Sequence, residues 1–562
     1  MLKPSCRAAA FILVLHLPAH PAAHAAPPKP SPSLAERIDA SLAQLYRSDG
    51  PGATVIVIKN GKTVFRKAYG MADIAKKQAL TPDTALRIGS ITKQFTATAI
   101  LMLADEGKLK LDDDITRYLP DYPTHGRRIT IEHLLTHTSG IVSYTGKQGY
   151  MADMARDMTV GEMIDRFKDD PLEFEPGSDW RYNNSGYFLL GAIIGKVSGL
   201  SYADFLQQRI FTPLGMTHTA YEGHELRAFP HAQAYTPDAD GFRPSPRLSM
   251  TQPYAAGALV SSVDDLARWD AAIDKGKLLK ASTWKRALTS HTLRSGRNTG
   301  YGYGWEIISL RGAPAVAHGG AITGFRSYAL RLPEQHIYVA VLSNADGQVT
   351  SPDGPARRAA ALVMGKPYPE YQAVVSGPGL LDAYAGLYRL DDKANWTVRR
   401  QDDGLTMQAP SGTLIPLRAF SDGGFFAPGS VDWIEFRRDA KGAVSELVLH
   451  RDEGDKVNPR VGAVIARKAV AISHATFDAR VGRYRFAQGF EVELTREGER
   501  LFAQATNQPK LEIFALDENA FFSDAVNAEL RFNDADPANA VVLDQGGTRM
   551  NGVKLDAAPA GP

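Results

Sequence analysis

Cysteine is almost absent: Cys6 is the only one in 562 residues. It falls in an N-terminal stretch with a definite order. Lys3 and Arg7 supply positive charge, residues 8–17 are apolar, and Ala23-His24-Ala25 is a small-x-small site followed by Pro27, Pro28 and Pro30. This order reads as a secretory signal peptide, residues 1–25, cut after Ala25, and places the protein in the periplasm or outside the cell. Cys6 leaves with it, so the mature chain is expected to have no disulfide, no thiol nucleophile and no thiolate metal site. No small-residue lipobox precedes Cys6, so no lipid anchor is read. Excess charge is lacking too: the net value of +2 falls to zero without Lys3 and Arg7. That removes the electrostatic case for nucleic-acid binding or a polybasic membrane patch. Long apolar runs are also missing after the leader. None reaches the ~18 residues of a membrane helix, and the best, residues 187–194, reads as a core helix.

What remains is 44% hydrophobic and 22% charged, the balance of a globular protein. Residues 34–47 carry Leu34, Ile38, Leu42, Leu45 and Tyr46 at helical spacing. Residues 53–58 and 63–69 are β-rich runs around Asn60-Gly61, a hairpin signal. Helices are expected at 129–140, 160–168, 185–198, 202–210 and 264–273, and strands at 328–332 and 337–342. A hairpin first, helices in the middle and strands again at the end predict one antiparallel sheet flanked by helices. Beyond the break at residues 365–370 the segments are short, alternating and repeated. Gly386, Tyr388, Leu405, Gln408, Phe425-Phe426 and Phe436 recur 96 positions later as Gly482, Tyr484, Leu501, Gln504, Phe521-Phe522 and Phe532. A constant offset predicts two tandem all-β barrels, residues 372–467 and 472–556, behind a domain of residues 26–366.

The chemistry centres on Ser90-Ile91-Thr92-Lys93. Serine and lysine three apart at the start of an apolar helix lie one turn apart on one face. A serine hydroxyl needs a base, and a buried lysine that loses its preference for the charged form can be that base. A second stretch, Trp180 to Tyr187, puts Tyr182 and Asn184 two apart in a turn. Tyr182 near a cationic lysine can share the role of base, and the Asn184 amide can hold a substrate carbonyl. In a third, His318-Gly319-Gly320-Ala321, the glycines let substrate lie against bare backbone at a strand edge, and the amides of Ser90 and Ala321 can form an oxyanion hole.

Ser90-x-x-Lys93, Tyr182-x-Asn184 and His318-x-Gly320, in this order, resemble the three motifs of the serine β-lactamase and penicillin-binding-protein superfamily. Residues 133–140, His-Leu-Leu-Thr-His-Thr-Ser-Gly, point to its class C branch, which includes D,D-carboxypeptidases, D-aminopeptidases and esterases. The C-terminal repeats resemble the lipocalin-like barrels of D-aminopeptidase-like members. The resemblance implies Ser90 as acylated nucleophile, Lys93 and Tyr182 as proton shuttle, and Asn184, His318, Gly320 and Ala321 as substrate-binding residues. His318 stands where class C β-lactamases usually carry lysine, which demotes penicillin hydrolysis. Its imidazole, near pKa ~6.5 if unperturbed, is expected to read a substrate carboxylate while protonated.

Competing patterns are weaker. His133 and His137 are four apart, but Leu134 stands where a metalloprotease helix needs glutamate, so both histidines read as structural. The Gly-rich run at 300–305 lacks a nucleotide loop's strand–helix context, and no Gly-x-Ser-x-Gly elbow occurs. The expectation is an α+β fold with a β-lactamase-like sheet, then two barrels. Its activity is acyl-enzyme hydrolysis of small peptides, amides or esters, D-amino-acid peptides foremost, without cofactor or metal. The rivals are an esterase, a class C-like β-lactamase and a non-catalytic binder of peptidoglycan fragments.

Overall fold

Asn60 and Gly61 both take positive φ, +50° and +71°, the turn that matches the twist of a two-residue hairpin. They join β1 (Ala53–Lys59) to β2 (Lys62–Tyr69). The computed structural model describes residues 32–555 apart from 148, 223–229, 239–240, 347–350, 392–393, 402, 410–413, 465–467, 487–490, 507–509, 524–527, 534–535 and 546–547. The expected signal peptide lies outside the described residues. The first helix, α1 (Leu34–Ala43), ends short of the predicted residue 47.

Four strands from the far end of this region complete the sheet: β3 (Glu306–Leu310), β4 (Ala313–Ile322), β5 (Phe325–Leu332) and β6 (Ile337–Ser343). The order is β3-β4-β5-β6-β1-β2, all antiparallel, so the two ends of the region meet where β1 pairs with β6. Both faces are covered. Val55, Val57, Leu330, Val339 and Val341 pack with Ile38 and Leu42 of α1 and with Ala356, Ala359 and Ala360 of α6 (Asp353–Met364). On the other face Ile56, Ala329, Ala340 and Leu342 join the larger core of α2 (Thr92–Asp105), α4 (Asn184–Ser198) and α5 (Val263–Asp274). Cover on two faces explains why β1 and β6 read as almost unbroken apolar runs.

The helix predicted over 129–140 is shorter. Only α3 (Ile131–Leu135) is helical, and His137 takes a left-handed φ of +59°. His133 closes the capping box at the start of α3, its Nδ1 accepting the Thr130 N–H. The apolar pattern of Ile129, Ile131, Leu134 and Leu135 marks buried positions, but after Leu135 the chain leaves the helix and runs beside residues 181–185.

Two closed barrels follow. The first has eight strands, Gly386–Arg389 to Lys456–Gly462, closed where Leu414–Phe420 pairs with Phe425–Phe426; the second runs from Gly482–Phe486 to Thr548–Lys554. The 96-residue offset has a structural counterpart: the buried Tyr388 hydroxyl donates to Tyr384 O, and the Tyr484 hydroxyl to Arg480 O, both at 2.7 Å. Aromatic and aliphatic side chains fill both interiors. Among the described residues no single helix is long and apolar enough to cross a membrane.

The first barrel docks on α6. Arg357 pairs with Glu453 at 3.0 Å, Arg358 donates to Ser430 O at 2.7 Å, and a Cβ on Gly354 would overlap Gly429 O at 1.8 Å. The connecting residues are pinned as well: Tyr368 hydrogen-bonds Asp452, and the Tyr371 ring lies 4.3 Å from that of Phe420. A chain ending at residue 371 is expected to melt several degrees below the full chain, because this face of α6 loses its cover. Paired scanning calorimetry checks this, and equal melting temperatures would show that docking adds no stability.

Candidate active site

Gly89, Ser90 and Ile91 form a 3-10 turn that runs directly into α2. Gly89 has φ +50°, and a Cβ there would stand 3.0 Å from the Ala321 nitrogen of β4. The turn therefore needs glycine, and it brings the Ala321 amide beside Ser90. Every residue of α2 from Thr92 to Leu103 is buried, including Lys93 at 0% exposure.

Lys93 Nζ lies 3.0 Å from Ser90 Oγ, 2.9 Å from Asn184 Oδ1 and 2.8 Å from Ala256 O. No carboxylate pairs with it among the described residues, and burial holds its pKa well below the ordinary lysine value. A neutral amine has two N–H bonds and one lone pair. The amide and carbonyl oxygens can only accept, so they take the two N–H bonds and leave the lone pair facing the serine hydroxyl. Such an arrangement can deprotonate Ser90.

Asn183 caps α4 through its side chain, which puts Asn184 in the first turn and Tyr182 just ahead of it. The Tyr182 ring lies 4.8 Å from Lys93 Nζ, and Tyr182 lines the same cavity as Ser90. Burial pushes its pKa upward, so the group is a phenol, not the proton-poor tyrosine that proximity to a cation suggests. The Asn184 side chain is largely engaged: Oδ1 meets Lys93, and one Nδ2–H goes to Thr145 at 3.0 Å. One N–H remains for a ligand.

Residues 137–145 shape this turn. His137 O accepts the Arg181 N–H at 3.0 Å and His137 Nδ1 accepts the Asn183 N–H at 3.1 Å, which brackets Tyr182. The imidazole packs 4.5 Å from the Tyr182 ring. Further on, Val142 O accepts from Ser185 Oγ at 2.8 Å and Ser143 Oγ from the Asn184 N–H at 3.2 Å.

The third motif lies on β4, where the sheet edge opens. The edge strand β3 starts at Glu306 opposite Ala317, so residues 318–322 have β5 on one side and no strand on the other. By the two-residue period of a strand the N–H groups of Gly319 and Ala321 point to the same side of β4, and Glu306 lines the cavity with them. A Cβ on Gly320 would sit 2.1 Å from both Ile88 O and Ser327 Oγ, so this strand approaches the serine turn only as glycine.

His318 departs from expectation. It is 1% exposed, and both ring nitrogens are taken. Nδ1 stands 2.6 Å from Gly319 O, which can only accept, so Nδ1 carries the hydrogen; Nε2 then accepts from the Tyr301 hydroxyl at 2.8 Å. Burial pushes its pKa down to about 3. A neutral, doubly bonded imidazole does not read a carboxylate at neutral pH.

Ser90, Tyr182, His318, Gly320 and Ala321 line one cavity of about 400 Å³, with Lys93 and Asn184 behind Ser90. Three charged residues on its wall carried no sequence signal: Glu306, whose pKa burial raises, Asp353 at the start of α6, and Arg326 of β5. Each is an isolated charge in a stretch with no motif; strand register brings Glu306 and Arg326 to the cavity, and the start of α6 brings Asp353.

The Beta-lactamase family model matches residues 35–363. Penicillin-binding protein 4* of Bacillus subtilis (strain 168) is 27% identical over 425 residues, 72% of this chain and 93% of that protein. A D-aminopeptidase of Gluconobacter oxydans (strain 621H) is 30% identical over 370 residues, 63% of this chain and 67% of its own length. Among solved structures, an octameric penicillin-binding protein homologue from Pyrococcus abyssi superposes with a TM-score of 0.56 at 28% identity, covering 75% of this chain and 99% of that one. The D-amino acid amidase of Ochrobactrum anthropi SV3, complexed with L-phenylalanine amide, gives 0.52 at 28% identity over 59% of this chain and 99% of its own. With a family match over more than half its length and a buried lysine against a serine in an open cleft, the chain belongs to the Beta-lactamase family and is a serine hydrolase.

Proposed function

We propose that this serine hydrolase acts through an acyl-enzyme on Ser90, cleaving small peptides, amides or esters, with D-amino-acid-containing peptides as the leading substrates. The observation that carries the chemistry is the uncharged setting of Lys93, 3.0 Å from Ser90 Oγ with two neutral acceptors behind it. Lys93 takes the serine proton as Oγ attacks the carbonyl carbon. The amides of Ser90 and Ala321 hold the developing oxyanion. Tyr182, kept protonated by burial, gives its proton to the leaving group and regains one from Lys93. Water then attacks the acyl-enzyme by the reverse relay. The D-aminopeptidase and D-amino acid amidase among the relatives support the substrate class. The order of charge, apolar core and cleavage site in residues 1–25 supports export to the periplasm or beyond.

Ser90→Ala is expected to abolish fluorophosphonate labelling and to lower kcat at least about a thousand-fold; Lys93→Ala should be nearly as severe and the double change little worse. Intact-mass labelling and kcat on a small D-amino-acid ester check this, and a Ser90→Ala chain that still takes up the label would overturn the assignment.

The state of His318 generates a second expectation. Its folded pKa of about 3 lies below the ordinary value, so it stays neutral across the neutral range. The KM curves of a carboxylate substrate and its methyl ester should therefore run parallel between about pH 5.5 and about pH 8. The unfolded chain takes up this proton near pH ~6.5, so the contribution of His318 to stability is complete above that value and is lost as pH falls toward the folded pKa. KM profiles for the matched pair decide the point: a carboxylate KM that climbs alone with pH would restore His318 as the reader.

A further inference from the structure

Two imidazoles flank the Tyr182 ring: the centroid of His137 lies 4.5 Å from it and that of His318 6.2 Å. Both are 1% exposed, and a neutral imidazole has one nitrogen lone pair that accepts a proton. Both lone pairs are spent. His137 Nδ1 takes the Asn183 N–H, and His318 Nε2 takes the Tyr301 hydroxyl. The first donor is backbone and comes with the turn itself. The second is a side chain from outside the three motifs.

Tyr301 is held firmly. It is 2% exposed, and its ring lies 4.6 Å from that of His137 and 6.3 Å from that of Trp180. Its carbonyl accepts the His291 N–H at 2.8 Å. A Cβ on the next residue, Gly302, would lie 2.2 Å from Ala287 O, so the segment is seated against the helix Ala281–Ala287. A buried acceptor left without a donor is costly, so an imidazole deprived of Tyr301 turns to the next donor. The Tyr182 phenol, in ring contact with both His318 and Tyr301, is that donor. We propose that Tyr301 is a positioning residue for the hydrolysis: by occupying His318 Nε2 it keeps the Tyr182 proton for the leaving group. This rests on the hydrolase reading above and deepens it. The Tyr182 O–H bond breaks as the leaving group's N–H or O–H bond forms, Lys93 returns a proton to Tyr182, and Tyr301 neither gains nor loses one.

The test uses the full chain and neutral esters that share one acyl group, with leaving groups from nitrophenol to simple alcohols. Nitrophenolate departs without a proton, whereas an alkoxide needs one. Tyr301→Phe removes the hydroxyl and keeps the ring. It should lower kcat/KM about 10- to 100-fold on the alkyl ester and by no more than about three-fold on the nitrophenyl ester. Fluorophosphonate labelling of Ser90, in which fluoride leaves unprotonated, should keep nearly its full rate. In a His318→Leu background the same change should have no effect, because the competing acceptor is gone. Circular dichroism checks folding of each variant. In histidine-labelled Ser90→Ala chains, ¹⁵N NMR reads the Tyr301–His318 bond without turnover, as a shift of one imidazole nitrogen on Tyr301→Phe. An equal loss on every leaving group and on labelling, or no NMR shift, overturns the inference. An NMR shift in a protein whose unsubstituted form neither takes up the label nor cleaves any ester would instead overturn the hydrolase reading.

Discussion

The site rests on one electrostatic choice: an amine buried without a counter-charge. An ammonium moved out of water costs several kcal/mol even after the surroundings relax, and only a carboxylate at close range offsets much of that. Lys93 has Asn184 and Ala256 O in place of an acid. The rest of the local architecture serves that arrangement. Helix α2 is covered all round, so water does not reach Nζ. Gly304 lets the chain pass so close that a Cβ there would lie 2.7 Å from Lys93 O. Asn184 is fixed in turn by Ser143 and Thr145, so its oxygen, rather than its nitrogen, faces the amine.

The second constraint is the early end of β3. A sheet edge is normally a hazard because its free N–H and C=O groups pair with any strand that arrives. Here the free stretch is short, flanked by helices and marked at its ends by unlike charges. Backbone pairing can therefore position a small extended substrate between Glu306 and Arg326.

Much of this was legible in the amino acids. Ser90 with Lys93, Tyr182 with Asn184 and His318 with Gly320 are short-range pairs whose spacing already puts them on one helix face, one turn and one strand. The joining of the hairpin to the late strands followed from their order, and the tandem barrels from a constant offset. What stayed hidden depends on distant parts of the chain. The neutrality of His318 comes from enclosure, with Tyr301 holding Nε2, and its sequence neighbours reveal neither. His137 looked like part of a helix because apolar spacing reports burial, and burial continues after the helix ends. The placing of Arg326 in one cavity with Ser90 depends on the register of β4 and β5 and leaves no trace in sequence.

Helix α6 belongs to two structures at once. Its first residues wall the cleft, and its outer side carries Gly354, Arg357 and Arg358 against the first barrel. A helix moves as a stiff rod, so a change in how Gly429 or Glu453 seats against it displaces Asp353 without any intervening relay of side chains. One wall of the cleft is thus mechanically tied to a module that bears none of the three motifs.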